Sequence, residues 1–415
     1  MKEKTKLFKR DFTLVVMGQI ISLFGNAILR FALPLYLLRE TGSSTLFGIV
    51  TACSFAPMVV LSMIGGVLAD RVNKRNIMVG LDFSTAILIL IFYLSLGKLP
   101  TIPLFITMLM LLYGISGTYQ PSVQASIPLL VSSEKLMAGN AVINQVNTLS
   151  GLLGPVIGGI MFGMWGIYPI LVLSIICFAF SAIMEVFIHI PYEKRKREKS
   201  IFAVVRSDLK ESYHFVKTEK PIFFSVVFLI SIFNLVLSAV MIVGTPILIT
   251  QVLGMSDTMY GFTQGALALG GLCGGILTAA IAEKLKLKNS YILLLVCAAS
   301  VAFMGIPLML NVPAIISYWI ITLMSFTAMG ASTLFVVQIY TMVQTQTPPQ
   351  LVGKIMAALI SIAMCGQPIG QAIYGILFDM FKSQTWIVLI VAAIASFLIT
   401  LYSKKLFCQL DDSNE

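Results

Sequence analysis

Side chains that can hold charge or exchange protons are prominent in this sequence because so few of them interrupt its long apolar stretches. Asp70, Arg71, Lys74 and Arg75 lie in one short turn between two apolar runs of membrane-spanning length. Such a turn must face water, because backbone polar groups inside a bilayer have to be satisfied within the protein. Its surplus of cations predicts the cytoplasmic face. These residues therefore predict a charged hinge of about six residues between two membrane helices.

Two further charges fall inside apolar runs, where a charge is costly and indicates function. Arg30 lies in the first run and Asp82 in the third. Arg30 could bind an anionic group of a substrate, or its long stem could carry the charge to the outer interface. Asp82 could couple transport to protons by taking and releasing one, although pairing with a cation of the nearby turn is the interpretation we favour. The two residues lie at different depths, so we do not expect them to pair.

Other polar side chains inside apolar runs are candidates for lining a substrate cavity. They are Asn26, Tyr113, Tyr119, Gln120, Gln124, Asn234 and Gln338. The alternative is that they hydrogen-bond between helices, a contribution of about 1 kcal/mol each. Glu185 and Asp379 fall at the ends of apolar runs, which predicts that both lie at the membrane interface.

The composition requires a membrane environment. Of the 415 residues, 58% are hydrophobic and 11% are charged, and a soluble protein of this size could not bury so much apolar surface. The net charge of +10 does not indicate nucleic acid as a partner, because the basic residues alternate with apolar runs as membrane topology demands. The six cysteines are scattered and predict neither a metal site nor a disulfide framework.

Apolar runs of about 18 to 27 residues predict an all-α integral membrane protein with twelve spanning helices. The predicted spans lie near 12–38, 44–69, 76–96, 102–125, 141–164, 167–189, 222–247, 259–282, 290–309, 313–337, 355–378 and 384–403. Most Lys and Arg residues then lie on one side, so both termini are predicted to be cytoplasmic. A polar linker, 191–220, separates a first half, 1–190, from a second half, 221–404, and a tail follows at 405–415.

Two landmarks recur at the same distance along the chain and predict that the halves are related. The charged turn at Asp70 has a degenerate echo 213 residues later, again between two predicted spans. The echo consists of Glu283, Lys284 and Lys288. Pro155 and Pro368, each in a glycine-rich fifth helix of its half, are also 213 residues apart. Parallel repeats of this kind are an architecture of transporters, with a substrate site near the bilayer midplane.

The pattern Gly66-x-x-x-Asp70-Arg71-x-x-Lys74-Arg75 resembles the signature loop between the second and third helices of the major facilitator superfamily (MFS). Asn73 stands where that loop has glycine, and asparagine is the residue that next most readily adopts a left-handed turn. The resemblance implies two six-helix halves that expose a central site to each side of the membrane in turn. It also implies that Asp70 meets the start of the eleventh helix and that the cations latch the cytoplasmic side.

The fifth predicted helix contains Gly154-Pro155-x-x-Gly158-Gly159, which resembles a motif of antiporters in the same superfamily. The resemblance implies export, with this helix packed against the opposite half; ordinary helix packing is the alternative. The first helix pattern Gly18-Gln19-x-x-Ser22-x-x-Gly25-Asn26 resembles the bacterial branch that contains macrolide and enterobactin exporters.

The sequence thus predicts a monomeric transporter of the bacterial cell membrane that exports a small amphipathic compound, drug-like or siderophore-like, in exchange for protons. We expect the lipid bilayer and a small-molecule substrate as partners, no cofactor beyond the proton gradient, and no enzymatic activity. An importer or a sodium-coupled carrier of the same fold stays open as an alternative. A membrane enzyme is disfavoured because the only two histidines, His189 and His214, lie apart at or beyond the end of one predicted span.

Overall fold

The computed structural model describes residues 7–191, 201–281, 287–348 and 351–412. Throughout these ranges the chain folds into helices joined by short turns, and no strand occurs in them. The all-α membrane fold expected from the apolar runs is confirmed.

Six long helices make up the first half of the chain. They are α1 (Arg10–Thr41), α2 (Ser44–Arg71), α3 (Lys74–Ser95), α4 (Thr101–Leu130), α5 (Leu136–Trp165) and α6 (Ile167–Val186). A helix of 20 residues is about 30 Å long, enough to cross a bilayer. The linker contains a further helix, α7 (Ile201–Thr218). Glu211 of this helix forms an ion pair of 2.7 Å with Lys354.

The second half is less regular. Its helices are α8 (Ile222–Phe233), α9 (Ala239–Pro246), α10 (Asp257–Ile281), α11 (Ser290–Met309), α12 (Ala314–Thr345), α13 (Val352–Met364), α14 (Gly366–Met380) and α15 (Trp386–Asp412). Two π-helical segments, Asn234–Ser238 and Ile247–Val252, flank α9 and make 222–252 one continuous span. A break at Cys365 separates α13 from α14, because Pro368 has no N–H for the Met364 carbonyl.

Within the described residues, eleven helical stretches are long and apolar enough to cross a membrane. They correspond to eleven of the twelve predicted spans. The predicted span near 259–282 corresponds to α10, which has the necessary length of 25 residues.

The chain divides into two compact units by the proximity of its Cα atoms. The first unit comprises 1–41 and 53–201, and the second comprises 42–52 and 202–415. The start of α2 is therefore grouped with the second unit, a division that hydropathy does not reveal. The predicted boundaries of halves, linker and tail stay a prediction.

Each unit has its own packed interior. In the first unit, α1 packs against α5 and α6, and α3 packs against α6. In the second unit, α10 approaches α12 closely because Gly270 and Gly274 lie against the backbone of Phe326 and Gly330. Small residues allow this approach, which is a common basis of helix association in membranes.

Candidate functional site

The charged turn between α2 and α3 is much shorter than predicted. Only Val72 and Asn73 lie between Arg71, which ends α2, and Lys74, which begins α3. Asn73 has φ −60° and ψ 118°, and its side chain accepts a hydrogen bond from the Arg75 N–H. The expectation of a left-handed residue here is wrong, because Asn73 is extended and caps the N-terminus of α3.

Arg75 connects this turn to the end of α6. Its guanidinium donates a hydrogen bond to the Val186 carbonyl at the end of α6. The last carbonyls of a helix carry partial negative charge, so a cation there is stabilising. Arg75 thus joins α3 to α6 inside the first unit, while Arg71 and Lys74 lie half-buried beside it.

The predicted gating loop and its echo in the second half are described in part. The Asp70 side chain, Glu283 and Lys284 lie outside the described residues. Gly66 has open space beside it, and Lys288 is exposed in the short turn Leu287–Asn289.

Asp82 lies in the interior of the first unit, and only 2% of its surface is exposed. The Ser22 hydroxyl donates to its Oδ1 at 3.4 Å, and Ser181 is a second hydroxyl beside it. No cation contacts it in the described part of the chain, so the pairing that we favoured with Arg71, Lys74 or Arg75 is wrong. Seven residues of helix separate Asp82 from Arg75 by about 10 Å, and Arg75 is directed toward the end of α6 instead. As expected, Asp82 does not pair with Arg30.

Glu185 is fully buried among protein side chains, with 0% exposure, and its predicted position at the membrane interface stays a prediction. Although it is the penultimate residue of α6, its side chain turns inward toward α1 and α4. It accepts a hydrogen bond of 2.6 Å from the Tyr119 hydroxyl, which in turn accepts one of 2.8 Å from Gln19 Nε2. Tyr119, 5% exposed, therefore links helices rather than facing a cavity. Gln19 was missed as a site residue, although a glutamine in an apolar helix was a usable signal.

Arg30 and Tyr113, both predicted to face a substrate, are brought together by α1 and α4. The guanidinium carbon of Arg30 lies 3.7 Å from the centre of the Tyr113 ring, a geometry in which the ring face attracts the cation. Its other contact is the Met58 sulfur at 4.0 Å. Arg30 does not extend to the end of α1, and no carboxylate contacts it among the described residues. Its charge is available to an anion.

The remaining candidates of the first unit flank this pair. Asn26 lies one turn from Arg30 on α1 and is half-buried. Gln120 and Gln124 follow Tyr113 by seven and eleven residues on α4, spacings that place them on the same face. Gln120 is half-buried and Gln124 is exposed.

The second unit contains an apolar cavity of about 310 Å³, at the small end of the range for ligand pockets. Its apolar lining includes Phe233, Met241 and Met329, and its polar lining includes Ser238 and Gln367. The predicted cavity residues Asn234 and Gln338 do not line it. Asn234 donates instead to the Ala363 carbonyl at 3.1 Å, near the break between α13 and α14, and Gln338 is half-buried on α12.

The glycines of the fifth-helix motif pack against α1 of the same unit. A Cβ atom on Gly154 would overlap that of Ala27, and one on Gly158 would lie 3.1 Å from the Phe31 ring. Gly159 is buried and Pro155 is half-buried. Close packing within the unit, the alternative to the antiporter interpretation, therefore accounts for Gly154 and Gly158.

Asp379 has a structural role that the sequence did not reveal. Its carboxylate accepts hydrogen bonds from the Ser43 hydroxyl at 3.0 Å and from the backbone N–H groups of Ser44 and Thr45 at 2.9 and 2.8 Å. These groups form the N-terminus of α2, where a negative charge is stabilising. Asp379 thus connects the end of α14 to the start of α2 within the second unit.

Comparisons with known proteins agree with this architecture. The sequence model described as Major Facilitator Superfamily matches residues 15–371. Macrolide efflux protein A of Streptococcus pyogenes is 24% identical over 397 residues, which cover 93% of this chain and 94% of that protein. Enterobactin exporter EntS of Escherichia coli O1:K1 is 24% identical over 371 residues, covering 88% of this chain and 84% of that protein.

Solved structures show the same fold at lower sequence identity. A bacterial homolog of the human lysosomal transporter Spinster superposes with a TM-score of 0.73 at 11% identity, covering 96% of this chain and 97% of that one. A bacterial homologue of the iron transporter ferroportin superposes with a TM-score of 0.71 at 16% identity, covering 96% and 98%.

Proposed function

The chain belongs to the major facilitator superfamily of membrane transporters, and from this premise we propose that it exports a small amphipathic compound in exchange for protons. It is a multi-pass protein of the cell membrane. The structural observation that carries the proposal is Arg30, a charge inside a membrane helix. Tyr113 lies 3.7 Å from its guanidinium, and no carboxylate of the described residues contacts it. A charge retained in this setting indicates a substrate or ion path.

Export rather than import is supported by the relatives. The two whose sequences align with most of this chain are named for efflux of macrolides and export of enterobactin. Gly154 and Gly158 pack within one unit, so the motif around them contributes little to the assignment of direction. We therefore base the direction on the relatives and propose a drug-like or siderophore-like substrate.

A polar face on α1 and α4 supports a water-filled path in the first unit. Asn26 and Arg30 lie on α1, and Tyr113, Gln120 and Gln124 lie on α4, all at least partly accessible. Amide side chains facing lipid tails would be costly, so this face is better suited to a cavity. A guanidinium beside neutral amides favours a substrate that has an anionic group and an apolar body.

The proposed mechanism is alternating access by a monomer with both termini in the cytoplasm. The turn between α2 and α3 would then lie at the cytoplasmic face, as its cations favour. In this proposal Asp70 stabilises one of the two states by meeting the positive end of a helix. The proton gradient is the energy source, and no other cofactor takes part.

Flux in everted membrane vesicles tests the proposal. Vesicles that contain the protein are given an imposed pH gradient or sodium gradient and a panel of macrolides, siderophores and dyes. We expect uptake of at least one compound when the vesicle interior is acidic, and no dependence on sodium. Transport that ignores pH but follows sodium would support the sodium-coupled alternative, and uptake only in right-side-out vesicles would support an importer.

Asp70→Asn is expected to lower the rate of transport severalfold while leaving membrane insertion intact. The amide keeps the size of the side chain but loses the negative charge that would favour a helix N-terminus. Initial rates in vesicles, normalised to the amount of protein in the membrane, provide the measurement. Glu134→Gln removes an exposed acid from the turn between α4 and α5 and serves as the control. Wild-type flux in the Asp70 variant would remove this latch from the mechanism.

A further inference from the structure

Two carboxyl groups in the first unit have no part in holding its turns or helix ends together. Asp82 on α3 and Glu185 on α6 are 2% and 0% exposed. Both lie among side chains of α1 and α4, so the site connects four helices. Burying two acids among the same helices is costly, and a site of this cost requires an explanation in terms of function.

At this site, only one of the two oxygen atoms of each carboxyl group has a hydrogen-bond partner among the described residues. Glu185 Oε1 accepts from Tyr119 at 2.6 Å, and Asp82 Oδ1 accepts from Ser22 at 3.4 Å. Glu185 Oε2 and Asp82 Oδ2 are buried and have no partner in the described part of the chain. Gln19 Oε1, beside Tyr119, is also buried and without a partner there. Three buried oxygen atoms, on α1, α3 and α6, therefore have free acceptor capacity.

Among the residues that the structure describes, no positive side chain contacts the pair. From α3, the guanidinium of Arg75 binds the carbonyl at the end of α6, and from α1, Asp11 accepts the backbone N–H of His189. Tyr119 from α4 is neutral. Cys177, the remaining titratable group of α6 in this region, lies beside Gly25, about one turn beyond Ser181. Two ionised carboxylates would therefore repel each other without compensation in a medium of low polarity.

We propose that Asp82 and Glu185 form a proton-binding site in which at least one of the two carboxyl groups is protonated, by an O–H bond at Oδ2 or Oε2. Binding takes the proton from water on one side, and release returns it to water on the other side, leaving the carboxylate ionised. Tyr119 is a positioning residue, because its hydroxyl donates to Glu185 while it accepts from Gln19.

Ser181 fits the same arrangement. Its hydroxyl donates to the Gly18 carbonyl at 3.2 Å, and the same oxygen has lone pairs that can accept from a protonated Asp82. In this orientation a protonated Asp82 can donate to Ser181. The hydroxyl groups of α1 and α6 can therefore accommodate a proton on Asp82.

The role of this site in transport rests on the proposed proton antiport, whereas its occupancy by a proton does not. Occupancy is measured without any substrate, by infrared spectroscopy of the purified full-length protein in lipid. We expect the C=O stretching band of a protonated carboxyl group at neutral pH, and loss of that band in the Asp82→Asn, Glu185→Gln double variant. Tyr119→Phe is expected to shift the band, because Glu185 loses its donor, and Glu134→Gln at an exposed position is expected to leave it unchanged.

The infrared spectrum of the wild-type protein tests the proposal by itself. The test therefore does not depend on whether the double variant folds. Absence of the band at neutral pH would show that both groups are ionised, and its disappearance on adding sodium chloride in place of choline chloride would show a cation site. Persistence of the full band in the folded double variant would assign the proton elsewhere. If the band behaves as expected but vesicle transport ignores pH, the proton site stands and the proposed antiport fails.

Discussion

Gly154→Ala is expected to destabilise the protein by about 1 to 3 kcal/mol, as overpacking of a well-packed interior does, and Gly151→Ala is expected to be tolerated. Both residues lie on α5, three positions apart. The new methyl group at Gly154 would overlap the Cβ atom of Ala27 on α1, whereas Gly151 has open space beside it. Thermal unfolding of the detergent-solubilised protein, followed by size-exclusion chromatography, measures the difference.

A reciprocal change makes the result specific to this contact. Ala27→Gly removes the atom that the new methyl group meets, so the Ala27→Gly, Gly154→Ala double variant should recover most of the stability lost. Such coupling between neighbouring residues is what a double-mutant cycle measures. Equal melting temperatures for the Gly154 and Gly151 single variants, or no recovery in the double variant, would show that the two helices are not held by this contact.

The outcome also bears on what the fifth-helix motif does. If the double variant regains both stability and transport, close approach of α1 and α5 is the property that the glycines provide. If it regains stability but not transport, Gly154 has a role in the transport cycle beyond packing. The sequence pattern alone cannot separate these roles, because small residues serve both the association and the sliding of membrane helices.

The fold was predictable from the sequence because membrane spans depend on the length and polarity of apolar runs. Eleven of the twelve predicted spans coincide with helices that are apolar enough to cross a bilayer, and the twelfth coincides with α10. The short connection between the second and third spans and the absence of an Asp82–Arg30 pair among the described residues were also correctly predicted. Each of these depends only on position along a helix.

What the sequence did not reveal is the direction in which a side chain points and the residues that it meets far along the chain. Glu185 is next to the end of α6, and its side chain points inward to Tyr119, 66 residues earlier. Asp379 caps a helix that begins more than 330 residues before it. Hydropathy contains no information about either contact, because it does not determine how helices rotate against their neighbours.

Arg30→Met is expected to lower transport of an anionic substrate by about tenfold or more, a loss of at least about 1.4 kcal/mol of interaction. Methionine fills a similar volume but cannot attract an anion. The same change should leave stability unchanged or raise it, because it removes a charge inside a membrane helix that no carboxylate in the described ranges contacts. Opposite effects on transport and stability are typical of a residue retained for function. Vesicle uptake of a carboxylate-bearing dye and of a neutral dye, together with thermal unfolding, gives both quantities.

Three comparisons separate charge, planarity and position. Arg30→Lys keeps the charge but loses the planar group that lies on Tyr113, so an intermediate rate is expected. Tyr113→Phe retains the ring face and should be close to wild type, whereas Tyr113→Leu should resemble the lysine variant because the cation loses its support. Arg39→Met removes an exposed cation from the last turn of the same helix and should have little effect. Equal loss of the anionic and the neutral dye in Arg30→Met would mean that Arg30 orders the helices around it, since an anion-binding charge discriminates between the two.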